Sequence, residues 1–138
     1  MSSLFVTGFP GFLASNLLPR ILLQRPESKI QALVEPRFMQ TAQQRLLGFD
    51  PALAGRVELI SGDITRPGLG LEQELTPTEI FHFAALYDLG VDRMLGLRIN
   101  VDGTQNVLRY GERLSGLEKL HYVSTCYVSG RYAGPYRE

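Results

Sequence analysis

The sequence predicts an α/β protein built on one doubly wound parallel sheet of about five strands. Short apolar runs, rich in β-branched and aromatic residues, alternate with segments whose apolar residues recur at helical spacing. These runs are apolar almost throughout, so we expect helices to cover both faces of the sheet. With right-handed crossovers between parallel strands, the simplest strand order is 3-2-1-4-5.

The predicted strands share a β-branched, aromatic or aliphatic run that stops at glycine, proline or small residues. They are SLFVT (3–7), KIQALVEP (29–36), RVELISGDI (56–64), TEIFHFAAL (78–86) and KLHYVSTCYV (119–128). The predicted helices share apolar residues three or four positions apart. They are residues 11–24, 38–49 and 92–113, with at most one weak helical turn at 71–75 and a loop at 129–138. The length suits one core, so residues 1–138 are predicted to be a single domain.

The composition excludes several classes of protein. Lys plus Arg and Asp plus Glu both count 14, and the basic residues are not clustered, so nucleic acid is not an expected partner. Gly8 interrupts the first apolar run, which predicts neither a signal peptide nor a membrane span. The only cysteine is Cys126, which excludes an internal disulfide and fits a reducing, cytoplasmic location.

The stretch TGFPGFLA, between the first strand and the first helix, indicates a ligand site. Ligands of doubly wound sheets bind at the carboxyl ends of the strands where the winding reverses, which is directly after the first strand. Gly8 allows a tight exit from that strand, and Gly11 allows backbone N–H groups to approach a pyrophosphate at the helix N-terminus. The alternative is a tight turn that binds nothing. No Gly-Lys-Ser/Thr sequence follows, which disfavours a nucleoside-triphosphate site.

Five motifs occur in the order and spacing of a known family: TGFPGFLA, SGDIT, FHFAALYDL, INVDGTQNVL and YVSTCYVSG. In these motifs the chain resembles the extended short-chain dehydrogenase/reductases of the NAD-dependent epimerase/dehydratase superfamily. It is most similar to the branch of fatty acyl-CoA reductase-like and thioester reductase-like proteins. The resemblance implies a Rossmann-type sheet that binds NADP or NAD. Ala14 is a mild departure, because glycine is common at that position.

The resemblance implies where the phosphates and the adenine of the cofactor would bind. The pyrophosphate is expected on the backbone of the segment after Gly8. This segment consists of Phe9, Pro10, Gly11, Phe12 and Leu13. Asp63, followed by Ile64, matches the acidic position that hydrogen-bonds the adenine amino group.

The resemblance also implies residues near the reacting end of the cofactor. The segment expected beneath the central part of the cofactor is Ala84, Ala85 and Leu86. Asn100 matches an asparagine that has a structural and proton-relay role in relatives. Thr125 matches the catalytic serine or threonine that hydrogen-bonds the substrate carbonyl, and Ser124 lies beside it.

Two residues at the end of the second strand bear on the choice between NAD and NADP. An acidic side chain there binds the ribose 2′-hydroxyl, whereas an arginine accommodates a 2′-phosphate. This chain has both, Glu35 and Arg37. Glu35 would repel the phosphate, but the resembled branch mostly uses NADPH. We therefore expect a slight preference for NADP.

The family's catalytic Tyr-x-x-x-Lys sequence is missing. The only lysines, Lys29 and Lys119, do not follow a tyrosine by four positions. We therefore expect the N-terminal part of a longer enzyme, truncated before its substrate domain and inactive alone. The whole enzyme would transfer hydride at a carbonyl or alcohol carbon. A fatty acyl or carrier thioester, a sterol-like ketone and a nucleotide sugar all remain open as its substrate.

Two other functions remain open. A non-enzymatic dinucleotide-binding redox sensor or interaction module would also lack Tyr-x-x-x-Lys, and a purely structural domain would bind no dinucleotide. The fifth strand is expected to be an exposed sheet edge, which favours pairing with another chain, for example in a homodimer. His82 and His121 are predicted to be core residues and Cys126 a packing residue, and no metal site is predicted.

Overall fold

The computed structural model describes residues 2–88 and 90–137, and within them five strands form one parallel sheet. The strands are β1 (Ser3–Thr7), β2 (Lys29–Val34), β3 (Val57–Ser61), β4 (Glu79–His82) and β5 (Lys119–Tyr122). They are ordered β3-β2-β1-β4-β5, and every neighbouring pair is parallel, as predicted. Met1 and Glu138, the ends of the predicted domain, and Leu89 of one motif lie outside the described residues.

Helices connect the strands. They are α1 (Phe12–Gln24), α2 (Met39–Leu47), α3 (Pro51–Ala54), α4 (Arg93–Leu97) and α5 (Thr104–Glu112). A π-helical stretch, Arg98–Gly103, joins α4 to α5, so the helix predicted at 92–113 is continuous but widened in its middle. A short 3-10 helix occurs at Pro36–Phe38, and Pro67–Gly70 forms a tight turn in which Gly68, Leu69 and Gly70 have positive φ. None of the described helices is long and apolar enough to span a membrane.

The central strand β1 is buried on both faces, which is what its uninterrupted apolar run predicts. Leu4 and Val6 face one layer and pack in a cluster with Leu18 of α1. Phe5 faces the other layer, where its ring lies 5.8 Å from the ring of Tyr110 in α5. Residues next to each other in a strand point to opposite faces, so one short segment anchors both helical layers.

The fourth strand is shorter than its apolar pattern predicts. The prediction covers residues 78–86, but β4 ends at His82. The following segment leaves the sheet, and the Ala84 N–H donates a hydrogen bond to the Thr7 side chain, with a nitrogen-to-Oγ1 distance of 3.2 Å. A contact with a side chain thus replaces the strand pairing that an apolar pattern alone predicts.

The predicted extent of the fifth strand, residues 119–128, is also wrong. In the described residues β5 pairs only with β4, so it ends with β4, after a last hydrogen bond from the Val123 N–H to the His82 carbonyl oxygen at 3.3 Å. Ser124 and Thr125 consequently lie in a loop rather than in a strand.

The sequence pattern was wrong at one short helical segment and missed another. Residues 71–75 are not helical, because Leu75 is buried and its N–H points to the Tyr110 hydroxyl oxygen, 3.4 Å away. The four-residue α3 was not predicted, because it is too short for helical periodicity. It begins at a cap in which Asp50 Oδ1 accepts a hydrogen bond from the Ala52 N–H at 2.8 Å.

Candidate functional site

The turn between β1 and α1 depends on both of its glycines. Gly8 has a φ of +93°, and a Cβ there would lie 2.7 Å from the Ala84 nitrogen. The Gly11 N–H donates to the Gly8 carbonyl oxygen at 2.7 Å, and a Cβ on Gly11 would lie 2.6 Å from that same oxygen. Both positions therefore require glycine for the geometry of the turn itself, and the Gly11 N–H is already used within it.

The N-terminus of α1 leaves backbone donors available. Ser15 N–H is the first of the helix to bond back, to the Gly11 carbonyl oxygen at 2.9 Å. Among the described residues, the N–H groups of Phe12, Leu13 and Ala14 have no hydrogen-bond partner. Phe12 and Leu13 are exposed, whereas Ala14 is buried. The first turn of α1 contains no acidic residue that would compete for its positive dipole end.

Two residues fix the turn in place. The side chain of Phe9 is buried, with its ring edge-on to that of Phe49 at 6.1 Å. The Ser15 hydroxyl donates to the Pro10 carbonyl oxygen at 2.9 Å. The side chain of Phe9 therefore serves the core, and this residue offers only its backbone to a ligand.

The segment after β4 is fastened beside this turn. The Ala84 N–H is bonded to Thr7, as described above. Two residues further on, the Leu86 N–H donates to Asn100 Oδ1 at 2.7 Å, and Asn100 Nδ2 donates to the Leu86 carbonyl oxygen at 3.0 Å. Ala85, between these two anchors, is exposed. The segment is thus held at both ends and presents little bulk.

An open groove of about 890 Å³ lies at the carboxyl ends of β2 and β3. Glu35 and Arg37 both line it, and they form an ion pair with 2.7 Å between Arg37 Nε and Glu35 Oε1. Arg66 and Arg98 line the same groove and were not singled out in the sequence. Arg98 lies two positions before Asn100, which is the one sequence signal that could have pointed to it.

Asp63 borders the same groove and is partly committed to its own loop. Its Oδ1 accepts hydrogen bonds from the Thr65 N–H at 2.8 Å and the Thr65 hydroxyl at 2.7 Å. Its Oδ2 makes no hydrogen bond to the described residues. The next residue, Ile64, is buried. One carboxylate oxygen of Asp63 therefore remains available to accept a hydrogen bond from a ligand.

Ser124 and Thr125 are less firmly placed than the other predicted site residues. Both are exposed, and Thr125 Oγ1 accepts a hydrogen bond from the Tyr127 N–H at 3.1 Å, which closes a local turn. They follow β5, so they leave the sheet at the same carboxyl edge as the turn after β1. The structure thus brings them to the correct edge, in a loop with local support.

The two histidines and the cysteine, all predicted to be core or packing residues, differ in how deeply they are buried. His82 is 1% exposed and lies between Thr7 and Thr104, so it is the satisfied core residue that the sequence predicts. His121 is only half-buried and pairs with Glu79 at 2.7 Å. Cys126 is exposed, so its predicted packing role is wrong. Among the described residues, no three potential ligands are close enough together to hold a metal ion.

These features fit a dinucleotide. The turn excludes side chains where phosphate oxygens would approach, and the start of α1 offers two N–H groups and a positive dipole end. The groove beside it carries charges of both signs and a carboxylate oxygen that can accept a hydrogen bond. The fold and the site define an NAD(P)-binding domain with a Rossmann-type sheet.

Comparison with known families agrees with this class. The family of NAD-binding domains described as male sterility protein matches residues 6–138, and the chain belongs to it. Fatty acyl-CoA reductase 1 of Arabidopsis thaliana is 30% identical over 159 residues, which cover 96% of this chain and 32% of that protein. Fatty acyl-CoA reductase wat of Drosophila melanogaster is 25% identical, over 90% of this chain and 28% of that protein. The chain thus spans about a third of the length of these relatives.

Solved structures show the same fold. The terminal R domain from the myxalamid PKS-NRPS biosynthetic pathway is 30% identical, with a TM-score of 0.76 over 91% of this chain and 35% of that one. UDP-glucuronic acid 4-epimerase from Bacillus cereus, solved in complex with NAD, is 23% identical, with a TM-score of 0.66 over 95% of this chain and 42% of that one. The chain therefore shares its architecture with the extended short-chain dehydrogenase/reductases, which include both reductases and epimerases.

We predict that His82 makes the stability of the fold depend on pH. Burial lowers the pKa of His82 to about 4 from an ordinary value of 6.5. Between these values the unfolded chain binds a proton that the native chain excludes, so the stabilisation is complete above pH 6.5 and is lost as the pH falls toward 4. The free energy of unfolding should be about 2 kcal/mol lower at pH 5 than at pH 7.

Urea unfolding at the two pH values measures this difference. His82→Gln should remove most of it, whereas His121→Gln, the matched control in β5, should retain it. Equal free energies of unfolding at pH 5 and pH 7 in the wild type would contradict the prediction.

Proposed function

We propose that this chain binds NAD(P) along the carboxyl edge of its sheet, with the pyrophosphate over the turn between β1 and α1. The observation that carries the proposal is the pair of unbonded N–H groups, of Phe12 and Leu13, directly after a turn that tolerates no side chain at Gly8 or Gly11. Phe9 and Pro10 complete this segment with their backbone. An anion at this point would meet two hydrogen-bond donors and the positive end of the α1 dipole.

The adenosine half of the dinucleotide is proposed to occupy the groove at the ends of β2 and β3. The free Oδ2 of Asp63 would accept a hydrogen bond from the adenine amino group, and Ile64 would pack behind that residue. Glu35 and Arg37 border the position of the ribose 2′ group. Because Arg37 is 65% exposed, its side chain is free to turn from Glu35 toward a 2′-phosphate. This freedom supports the slight preference for NADP.

The nicotinamide half is proposed to pass over the segment Ala84, Ala85 and Leu86, which Asn100 holds open. When bound, the cofactor supplies or accepts a hydride at a carbonyl or alcohol carbon. The hydroxyl of Thr125, with Ser124 beside it, would donate a hydrogen bond to the oxygen on that carbon and orient it. No tyrosine in the 138 residues is followed by a lysine at the fourth position. Proton transfer to or from the substrate oxygen would therefore need a group other than a Tyr-x-x-x-Lys pair of these residues.

We further propose that residues 1–138 are the dinucleotide-binding domain of a longer, cytoplasmic reductase that acts on a fatty acyl or carrier thioester. Two of the relatives are named fatty acyl-CoA reductases, and the R domain belongs to a PKS-NRPS pathway. The exposed thiol of Cys126 is consistent with a reducing compartment. The epimerase shares the fold alone, which makes a nucleotide sugar the less favoured substrate.

A second candidate function is a dinucleotide-binding redox sensor without catalysis, which would use the same glycine turn and groove and would need no Tyr-x-x-x-Lys sequence. The complete gene product that carries this domain distinguishes the two. Oxidation of NADPH that depends on added fatty acyl-CoA supports the reductase, whereas dinucleotide binding with no turnover of any acyl thioester supports the sensor.

We predict that Gly11→Ala weakens dinucleotide binding by about tenfold or more, because the new Cβ would displace the Gly8 carbonyl and distort the turn. Titration of the wild-type chain with NADPH and NADH, followed by cofactor fluorescence, provides the reference. Gly116→Ala is the matched control, since a Cβ at Gly116 meets no atom within 4 Å. Unchanged affinity of the Gly11 variant would exclude this turn as the binding site.

We predict that Arg37→Gln raises the Kd for NADPH about tenfold and changes the Kd for NADH by less than about twofold, because only NADPH carries the 2′-phosphate. Glu35→Gln should do the opposite for NADPH and tighten its binding, since it removes a negative charge beside the phosphate and releases Arg37 from its ion pair. The same fluorescence titration measures both variants. Equal effects of Arg37→Gln on the two cofactors would show that Arg37 does not contact the 2′ position.

We propose a homodimer in which a second copy covers the exposed apolar side chains of the helical segment from α4 to α5. Met94, Leu97, Val101 and Leu108 are all exposed and recur every three, four or seven positions. Sedimentation velocity at rising protein concentration should show a larger species, and Val101→Glu should abolish it. A single monomeric species at every concentration would contradict the dimer.

A further inference from the structure

A chain of hydrogen-bonded polar side chains joins β1, β4 and α5 beneath the glycine turn, and it consists of Thr7, His82 and the half-buried Thr104. Thr7 is 0% and His82 1% exposed. Nδ1 of His82 lies 2.7 Å from Thr7 Oγ1, and its Nε2 lies 2.9 Å from Thr104 Oγ1. A buried polar chain of this kind is costly unless every member is satisfied, so it specifies one arrangement of the elements that it joins.

The hydrogen-bonded side chains end at Thr7, which contacts the segment after β4 beside the glycine turn. Thr7 Oγ1 accepts a hydrogen bond from the Ala84 N–H, at 3.2 Å. The Ala84 nitrogen is also the atom that a Cβ on Gly8 would approach to 2.7 Å. The Thr7 hydroxyl therefore holds the Ala84 amide directly against the glycine turn.

The positions of the hydrogens follow from the number of donors and acceptors. Thr7 has one hydroxyl hydrogen, and one of its lone pairs is occupied by the Ala84 N–H. With a proton on Nδ1 of His82, the hydrogen of Thr7, which is 0% exposed, would have no acceptor among the described residues. With a proton on Nε2, the unpaired hydrogen is instead that of Thr104, which is only half-buried and can donate to solvent. The Thr7 hydroxyl therefore donates to Nδ1, and the ring proton of His82 is on Nε2 and donates to Thr104. Burial keeps the ring neutral, with a pKa of about 4, so this order persists at neutral pH.

We infer that Thr7, His82 and Thr104 are positioning residues for the dinucleotide, which set the distance between the glycine turn and the segment that begins at Ala84. The inference rests on the proposed function and names what holds that site together. Asn100 fixes the other end of the segment, at Leu86. Loss of the threonine–histidine chain should therefore release one end of the segment and leave the other fixed.

Thr104→Val tests the inference, because it removes the acceptor of the Nε2 proton with little change in side-chain volume. We expect the Kd for the preferred dinucleotide to rise about tenfold, and the Ala84 amide to exchange with solvent deuterium faster than in the wild type. Thr104→Ser keeps the hydroxyl and should restore both properties. Thr78→Val is the matched control. It removes a hydrogen bond from Thr78 Oγ1 to the Ser3 carbonyl oxygen, 3.1 Å long, just before the start of β4.

If the role of Thr104 were purely structural, Thr104→Val and Thr78→Val would both lower the urea midpoint. The two variants would then have equal Kd values for the dinucleotide and equal exchange rates of the Ala84 amide, and that result would overturn the inference. The nitrogen NMR shifts of His82 in the wild type provide a second test that needs no variant. A proton on Nε2 is the expected result, and a proton on Nδ1 would overturn the inference even if Thr104→Val failed to fold.

The same experiments separate this inference from the proposed function. A wild-type chain that binds neither NADPH nor NADH would contradict the proposed function. The exchange rate of the Ala84 amide in Thr104→Val and Thr78→Val would then decide whether the polar chain positions the segment after β4. Faster exchange in Thr104→Val alone would support the positioning role, and equal rates would exclude it.

Discussion

The backbone of the turn after β1 lies against the backbone of the segment after β4, and the candidate site is organised by that contact. No Cβ fits between the two at position 8, where Gly8 also has a φ that other residues rarely adopt. Because β1 and β4 are parallel neighbours, both leave the sheet at the same edge. The contact therefore places the N-terminus of α1 next to the segment from Ala84 to Leu86. An extended ligand such as a dinucleotide can contact both segments.

Local charges, rather than the net charge of the chain, determine where the carboxyl edge of the sheet attracts or repels an anion. The chain as a whole has a formal net charge of +0. At the start of α1, by contrast, two N–H groups and the helix dipole favour a negative group. In the groove beside it, Glu35 offsets Arg37. The other charged residues that line the groove are Arg66 and Arg98, which are positive, and Glu58, Asp63 and Glu72, which are negative. The proposed pyrophosphate site is thus electropositive, whereas the groove proposed for the adenosine half carries charges of both signs in nearly equal number.

Features that depend on neighbouring residues in the sequence were predictable, and features that depend on distant ones were not. The strand order, the glycine turn and α1 follow from local patterns and were confirmed. The ends of β4 and β5 were wrong, because Ala84 is drawn to a hydroxyl group 77 positions earlier in the chain. The burial of His82 was predicted, but its partners were not, because no spacing in the sequence relates Thr7 to Thr104. The ion pair of Glu35 and Arg37 was likewise not predicted, although the sequence identified both residues as candidates at the 2′ position.

The two ends of the proposed site differ in what holds them. The proposed cofactor-binding positions rest on β1 to β4, α1 and the helical segment that contains Asn100. Thr125, in contrast, follows β5, which in the described residues has a neighbour on one side only.

That strand is anchored by His121, which stacks on Phe81 at 4.2 Å and pairs with Glu79. Burial alone would raise the pKa of Glu79, but hydrogen bonds from His121 and Arg25 outweigh it and lower the pKa, so the carboxylate stays charged. This anchor ends before the strand does, and beyond it Thr125 has only its local turn. A firm position for its hydroxyl therefore requires contacts on the open side of β5, whereas the proposed pyrophosphate site rests on elements within the described residues.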